Sequence, residues 1–258
     1  MSPLSKEQNR KPDARALLVY VHIPKAGGTS FTELLDRVYG QHFLHLQKQR
    51  LLHWPPEYYV SAVANRYDAI AGHLPYGMHK RFGRGFSFNP RNHPGAFDAR
   101  DLKYISIMRD PVERVKSFYR YVTTTPSHRY HRHAKGLPPA AFFRHLEGLE
   151  RNALEVRNQQ SRMLGRGCHG DLDAIKKRIR EDYFAVGVLE NVDPFVAHLR
   201  QTLGWPATAA LPHLNRTSTR RTEDEFDAAT LDWISANNTT DLELYAFVRD
   251  EGQKYWKS

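Results

Sequence analysis

The sequence predicts an α/β protein of three layers, with a central, mainly parallel sheet flanked by helices. Three observations predict it. Short apolar runs rich in strand formers, at 16–23, 68–73, 102–108 and 183–190, alternate with longer segments of helical periodicity. The first run passes through a glycine turn straight into a helix, in HIPKAGGTSF at 22–31. The chain has 258 residues, enough for one large domain with a core that needs no disulfide or metal staple. We expect a loose polar tail over 1–14 and a single domain over 15–258.

Each element has its own signal. ALLVYVHI is apolar at nearly every position, as a strand buried on both faces must be. Residues 29–39 put Phe31, Leu34, Leu35 and Val38 on one helical face. A turn at WPP precedes a helix within 51–66, and DAIAGH (68–73) is the second strand. Residues 76–100 are rich in Gly, Pro, Asn, Arg and His and read as a long loop. LKYISIM (102–108) is the third strand. The helix 111–122 follows it, with Asp110 as N-cap, Pro111 at the first helical position and Glu113 completing a capping box. A basic loop fills 126–139, and helices follow at 140–148, 152–164 and 171–181. YFAVGVLE (183–190) is the fourth strand and 193–203 a helix. After the loop WPATAALPHLNRTSTRRTED, two helical stretches near 224–236 and 240–255 end the chain. In such sheets ligands sit at the carboxyl ends of the strands.

The balance of 38 basic and 28 acidic residues, net +10, speaks about partners and not about fold. It suits a nucleotide, an anionic glycan, another polyanion or an anionic surface. The one cysteine, Cys168, excludes an intrachain disulfide, and the polar N-terminal stretch lacks the apolar core of a signal peptide. No apolar run approaches membrane-spanning length. We expect a soluble, cytoplasmic protein without an integral membrane segment.

Two segments carry the chemistry. In HIPKAGGTSF the amides at the helix start are unsatisfied and favour an anion, Gly27 and Gly28 admit close approach, Thr29 and Ser30 add hydroxyls, and Lys25 adds a mobile cation. The lysine precedes the glycines, so the order is not that of the ATP-binding loop, GxxxxGK followed by Ser or Thr. A tight strand-to-helix turn that binds nothing is the plain alternative. In YISIMRDPVERVKSF, Arg109 stands at a strand's carboxyl end and Ser117 about two turns into the next helix. Together they form a fork and a hydroxyl for a second phosphate. Asp110 has the alternative of holding magnesium, but its capping pattern explains it better.

Together HIPKAGGTS and RDPVERVKS resemble the 5′-phosphosulfate loop and the 3′-phosphate motif of sulfotransferases that use 3′-phosphoadenosine 5′-phosphosulfate (PAPS). The chain resembles the carbohydrate sulfotransferases around heparan sulfate 2-O-sulfotransferase. AGHLPYGMHKRFG, YFAVGVLENVDPF and, more weakly, HLNRTSTRR extend the match in family order over most of residues 17–225. The resemblance implies a P-loop NTPase-like sulfotransferase fold and a PAPS-dependent enzyme, releasing PAP, the 3′,5′-bisphosphate, and requiring no metal. It implies that Lys25 contacts the oxygen leaving with the nucleotide and that the backbone from Ala26 through Gly27, Gly28 and Thr29 to Ser30 cradles the 5′-phosphate. Arg109 and Ser117 would hold the 3′-phosphate, and Arg216, Thr217 and Ser218 would close over the nucleotide. His73 matches the general base, and Ala71 stands where that relative carries a second histidine. The acceptor implied is a hydroxyl compound, a glycan before others and an anionic one among the options. The missing anchor and disulfides imply a soluble, bacterial-type member.

SHRYHRHAKG (127–136) is read as a solvated basic loop or an acceptor-binding one. Its His-x-x-His-x-His spacing fits no common zinc pattern. RNQQSRMLG (157–165) resembles a family helix whose polar residues face the acceptor or brace the helix. Two rival functions stand beside sulfuryl transfer: a kinase or NTPase, which needs a magnesium carboxylate, and a non-enzymatic polyanion binder. Nucleic acid is not expected, because the tyrosines among the arginines form no known platform.

Overall fold

The structure, a computed structural model, describes residues 16–46, 67–77, 101–148, 153–212 and 225–258. Its frame is a sheet of five strands: β1 (Ala16–Val21), β2 (Phe43–His45), β3 (Ala69–Gly72), β4 (Asp101–Met108) and β5 (Tyr183–Val188). They run in the order β2-β3-β1-β4-β5, and every pairing is parallel. Helix α1 (Gly28–Tyr39) follows β1, and α2 (Pro111–Thr124) follows β4. Then come α3 (His131–Ala134), α4 (Pro139–Glu147), α5 (Gln159–Leu164) and α6 (Leu172–Glu181). After β5 lie α7 (Val192–Leu203), α8 (Ala228–Ala236) and α9 (Thr239–Glu251).

The strands are apolar on both sides because both sides are covered. Leu17, Val19 and Val21 face a core completed by α5, α6 and α9, through residues such as Leu164, Ile175 and Leu244. Leu18 and Tyr20 face the opposite core, made by Phe31, Leu34 and Leu35 of α1 and Phe195 and Leu199 of α7. That is the three-layer α/β arrangement expected, with a sheet that is wholly parallel among the described residues. A third cluster joins α2, α4 and α8 through Phe118, Tyr119, Phe142, Phe143 and Ile234.

Several boundaries differ from expectation. β2 has only three residues, too few to show a period, and was not anticipated. The helix expected over 152–164 is broken into a 3₁₀ turn, Ala153–Glu155, and α5. Asn158 between them has φ 42°, and its N–H donates to Asn238 Oδ1 at 2.9 Å, so the helix cannot run through it. The basic loop contains the single-turn α3, and the last helical stretch ends as a 3₁₀ turn, Gly252–Tyr255. Val38 is only half-buried, and Tyr39 takes its place in the core. The helix expected in 51–66, most of the loop at 76–100 and the tail at 1–14 lie outside the described residues.

Asp110 caps α2 as expected, accepting from Glu113 N at 2.9 Å, with Pro111 at the first position. The capping box is not completed. The Asp110 N–H donates instead to Glu190 Oε1 at 3.0 Å, and the Glu113 carboxylate lies 2.6 Å from Lys116 Nζ.

Candidate active site

β1 feeds α1 and the β2–β3 side of the sheet, whereas β4 leads to the β5 side. The strand order therefore reverses between β1 and β4, and a parallel sheet opens a crevice at the carboxyl ends there. A cavity of about 1020 Å³ occupies that crevice. It is lined by His22, Lys25, Gly27 to Ser30, His73, Arg109, Ser117, Tyr121, His128, Arg129 and Glu155, among others. Lys25, Gly27, Gly28, Thr29, Ser30, His73, Arg109 and Ser117 are thus brought to one space. Ala26 is buried beneath the loop. Arg216, Thr217 and Ser218 lie outside the described residues.

The loop after β1 is built for close approach. Lys25 has φ 69° and Gly27 φ 75°, the first a left-handed conformation uncommon for a residue with a Cβ. Gly27 begins α1 without a side chain to cap it, so the first-turn amides lie open on the cavity side. A Cβ on Gly28 would stand 1.8 Å from His22 Nε2, and one on Gly27 2.4 Å from Leu189 Cδ1. Thr32 turns inward, its hydroxyl donating to Gly28 O at 2.8 Å.

The two loops are tied together. Arg109 Nη1 donates to the Lys25 carbonyl at 3.2 Å, and Nη2 lies 3.7 Å from Glu113 Oε2. Lys25 Nζ sits 3.8 Å from the centroid of the Tyr121 ring, a cation–π contact absent from the sequence reading. Burial, with the Arg109 cation beside it, lowers Lys25 to about 8. Its charge is therefore sensitive to what binds.

Three imidazoles gather beyond Lys25. The His22 and His73 rings meet edge-on with centroids 4.5 Å apart. Desolvation first, then the neighbouring His73, His45 and Lys25, lower His22 to about 3, so it is neutral at physiological pH. Among the described residues nothing partners its buried Nδ1. His73 reaches the cavity surface, yet its walls desolvate it and lower its pKa, partly countered by the Glu155 carboxylate. Ala71 has Tyr20 and His45 as register neighbours, so the second imidazole in contact with His73 comes from His22, just past the end of β1.

Glu155 was not anticipated. Its Oε1 accepts from Arg129 Nη2 at 2.6 Å and its Oε2 from Gln159 Nε2 at 2.7 Å. Gln159 in turn accepts from Arg114 Nη1 at 2.6 Å, and Arg114 is wholly buried. Burial lowers that guanidinium to about 10, opposed by Asp241 and Glu155. The basic loop divides. His128 and Arg129 line the cavity, His131 turns to the Val122 carbonyl at 2.9 Å, and His133 stacks on His145. No metal-ligating cluster occurs among the described residues, nor any helix long and apolar enough to cross a membrane.

A model of the sulfotransferase family matches residues 12–248, taking in both loops and His73. No curated protein matches the chain. Among solved structures, the crystal structure of mouse sulfotransferase SULT7A1 complexed with PAP is similar, with 16% identity and a TM-score of 0.36. That likeness covers 89% of this chain and 64% of the mouse one, so the chain spans a little under two thirds of its length.

Proposed function

The chain belongs to the sulfotransferase family, and from that premise we propose that it moves the sulfuryl group of PAPS to a hydroxyl of an acceptor. The observation that carries this reading is the meeting of Lys25, the Gly27–Gly28 turn, Arg109, Ser117 and His73 in one cavity, with Arg109 bonded to the Lys25 carbonyl. The residues fit a nucleotide with two separate anionic groups. Gly28 has no room for a Cβ, the α1 amides face the cavity, and two cations flank them.

The roles follow from charge. Amides of Gly27 to Ser30 bind the 5′-phosphate, and Arg109 with the Ser117 hydroxyl binds the 3′-phosphate. His73 accepts the acceptor's proton while the acceptor oxygen bonds to sulfur and the bond from sulfur to the bridging oxygen breaks. Lys25 meets the negative charge that grows on that bridging oxygen, which favours the transition state over the ground state. No metal is required by this chemistry. The acceptor class we propose is a carbohydrate, supported by the sequence resemblance and by Arg129 and His128 on the cavity wall.

Calorimetric titration with PAP in the presence of chelator, with ATP and AMP as controls, tests the donor site. Micromolar PAP binding, lost in Lys25→Ala and Arg109→Ala, is expected. A folded protein that ignores PAP, or prefers ATP with magnesium, overturns the reading. His73→Ala should keep PAP binding and, in an acceptor screen, lose roughly 10²–10⁴ in kcat.

A further inference from the structure

β4 ends at Met108, and the next residue, Arg109, has both backbone groups taken by a single side chain. Its N–H donates to Gln160 Oε1 at 3.0 Å, and its C=O accepts from Gln160 Nε2 at 2.8 Å. The pairing forces the amide's orientation, since only oxygen can meet the N–H and only nitrogen the C=O. Gln160 is fully buried, so its amide is turned away from solvent towards the Arg109 peptide.

Gln160 is itself held from the far side. Its own N–H and that of Ser161 donate to the Asp241 carboxylate, at 3.0 and 2.7 Å. Asp241 is buried in α9, and its N–H donates to Asn158 Oδ1 at 3.1 Å. A chain of buried hydrogen bonds thus runs from α9 through α5 to the Arg109 peptide.

The side chain beyond that peptide needs such support. An arginine has several rotatable bonds, and a strand end has lost the sheet ladder that would fix its peptide plane. Two bonds from one planar amide fix that plane as a β-bridge would. From there the guanidinium reaches across to the Lys25 carbonyl.

We propose that Gln160 is a positioning residue for the 3′-phosphate: by clamping the Arg109 backbone it aims the guanidinium at that group. The inference rests on the donor reading above, in which Arg109 binds the 3′-phosphate. Gln160 touches neither substrate nor reacting atoms. It sets the nucleotide's discrimination and not its chemistry.

The readout is the ratio of PAP to AMP affinity by calorimetry, because AMP lacks only the 3′-phosphate. Gln160→Met keeps the volume and removes both bonds. It is expected to weaken PAP about tenfold through misplacement of the guanidinium, with AMP unchanged. Gln160→Glu gives a rescue arm. Ionised at high pH, the introduced carboxylate faces the Arg109 carbonyl and the ratio falls. As the pH is lowered and the buried carboxyl takes up its proton, it offers both O–H and C=O, and the ratio returns towards that of the wild type measured at the same pH.

A wild-type ratio in Gln160→Met, or an equal loss of PAP and AMP, overturns the proposal and leaves Gln160 a packing residue. If Gln160→Met does not fold, Gln160→Glu decides alone, and a ratio that does not recover with falling pH overturns it. A wild-type protein that binds PAP no better than AMP overturns the donor reading itself, and this inference with it.

Discussion

The two loops that meet in the cavity are held in opposite ways. The loop after β1 is shaped locally, with a long-range tie in the Arg109 bond to the Lys25 carbonyl. Its shape follows from left-handed backbone at Lys25 and Gly27 and from the missing Cβ of Gly28, all within seven positions of the strand it leaves. The peptides after β4 are held from afar. Arg109 is clamped by Gln160 and Asp110 by Glu190, partners 51 and 80 residues away. One loop is shaped by backbone conformation, the other by side chains that arrive from other elements. A backbone-shaped loop should fail abruptly when a single atom is added. A side-chain-shaped one should lose function in steps.

The largest effect should come from adding one carbon to the first loop. In Gly28→Ala the new Cβ would lie 1.8 Å from His22 Nε2, and the His22 ring already packs edge-on against His73. Overpacking of this kind costs about 1–3 kcal/mol in stability. It also moves the α1 amides. PAP binding should fall below detection while the melting temperature drops by several degrees. Gly27→Ala should be milder, since the clash is with the far end of Leu189, although φ 75° still strains the new residue. If Gly28→Ala binds PAP like the wild type, the first loop is not the close-approach device described.

This difference also explains what the sequence could show. HIPKAGGTS was legible because its determinants are neighbours in sequence, and so was the Asp110–Pro111 cap. The β4 strand and the α1 face were legible from apolar periodicity. Glu155 and Gln160 were not. Each lies in a polar stretch whose partners, Arg129, Gln159, Arg109 and Asp241, are known only after folding. RNQQSRMLG drew notice as polar residues in a helix, and the bracing role of those side chains becomes visible only with α9 packed against them. The failed capping box is the same lesson. Glu113 has the right spacing, but Arg109 and Lys116 compete for its carboxylate and Glu190 takes the Asp110 N–H.

A moderate effect should separate the loops by pH. Lys25, lowered to about 8 by burial and by Arg109, loses its proton in a range where the Arg109 guanidinium keeps its own. An anion binds the protonated amine, so binding raises the Lys25 pKa and takes up a proton above pH 8. PAP affinity should therefore decline as pH rises past 8, and calorimetry in two buffers of different ionisation enthalpy should register the uptake. Lys25→Arg should bind PAP with neither the decline nor the uptake. An uptake that persists in Lys25→Arg would assign the proton to another group.

The smallest effect lies at His73, the proposed base. His73 is lowered by desolvation, and Glu155 opposes that lowering. The sign follows from charge. The carboxylate stabilises the imidazolium, so removing it must lower the His73 pKa further. Glu155→Gln removes the charge and leaves one oxygen that can still accept from Arg129, while the amide nitrogen in place of the other no longer accepts from Gln159. NMR titration of the His73 imidazole should place its midpoint below the ordinary histidine value in the wild type and lower again in Glu155→Gln. In the proposed reaction a lower midpoint keeps the base unprotonated into more acidic solution, at the cost of weaker basicity. Glu155, itself oriented by Gln159 of α5, would then tune the base just as its neighbour Gln160 aims the arginine, so that one short helix supports both halves of the cavity. A His73 midpoint that rises in Glu155→Gln would break that symmetry and leave Glu155 as an anchor for Arg129 alone.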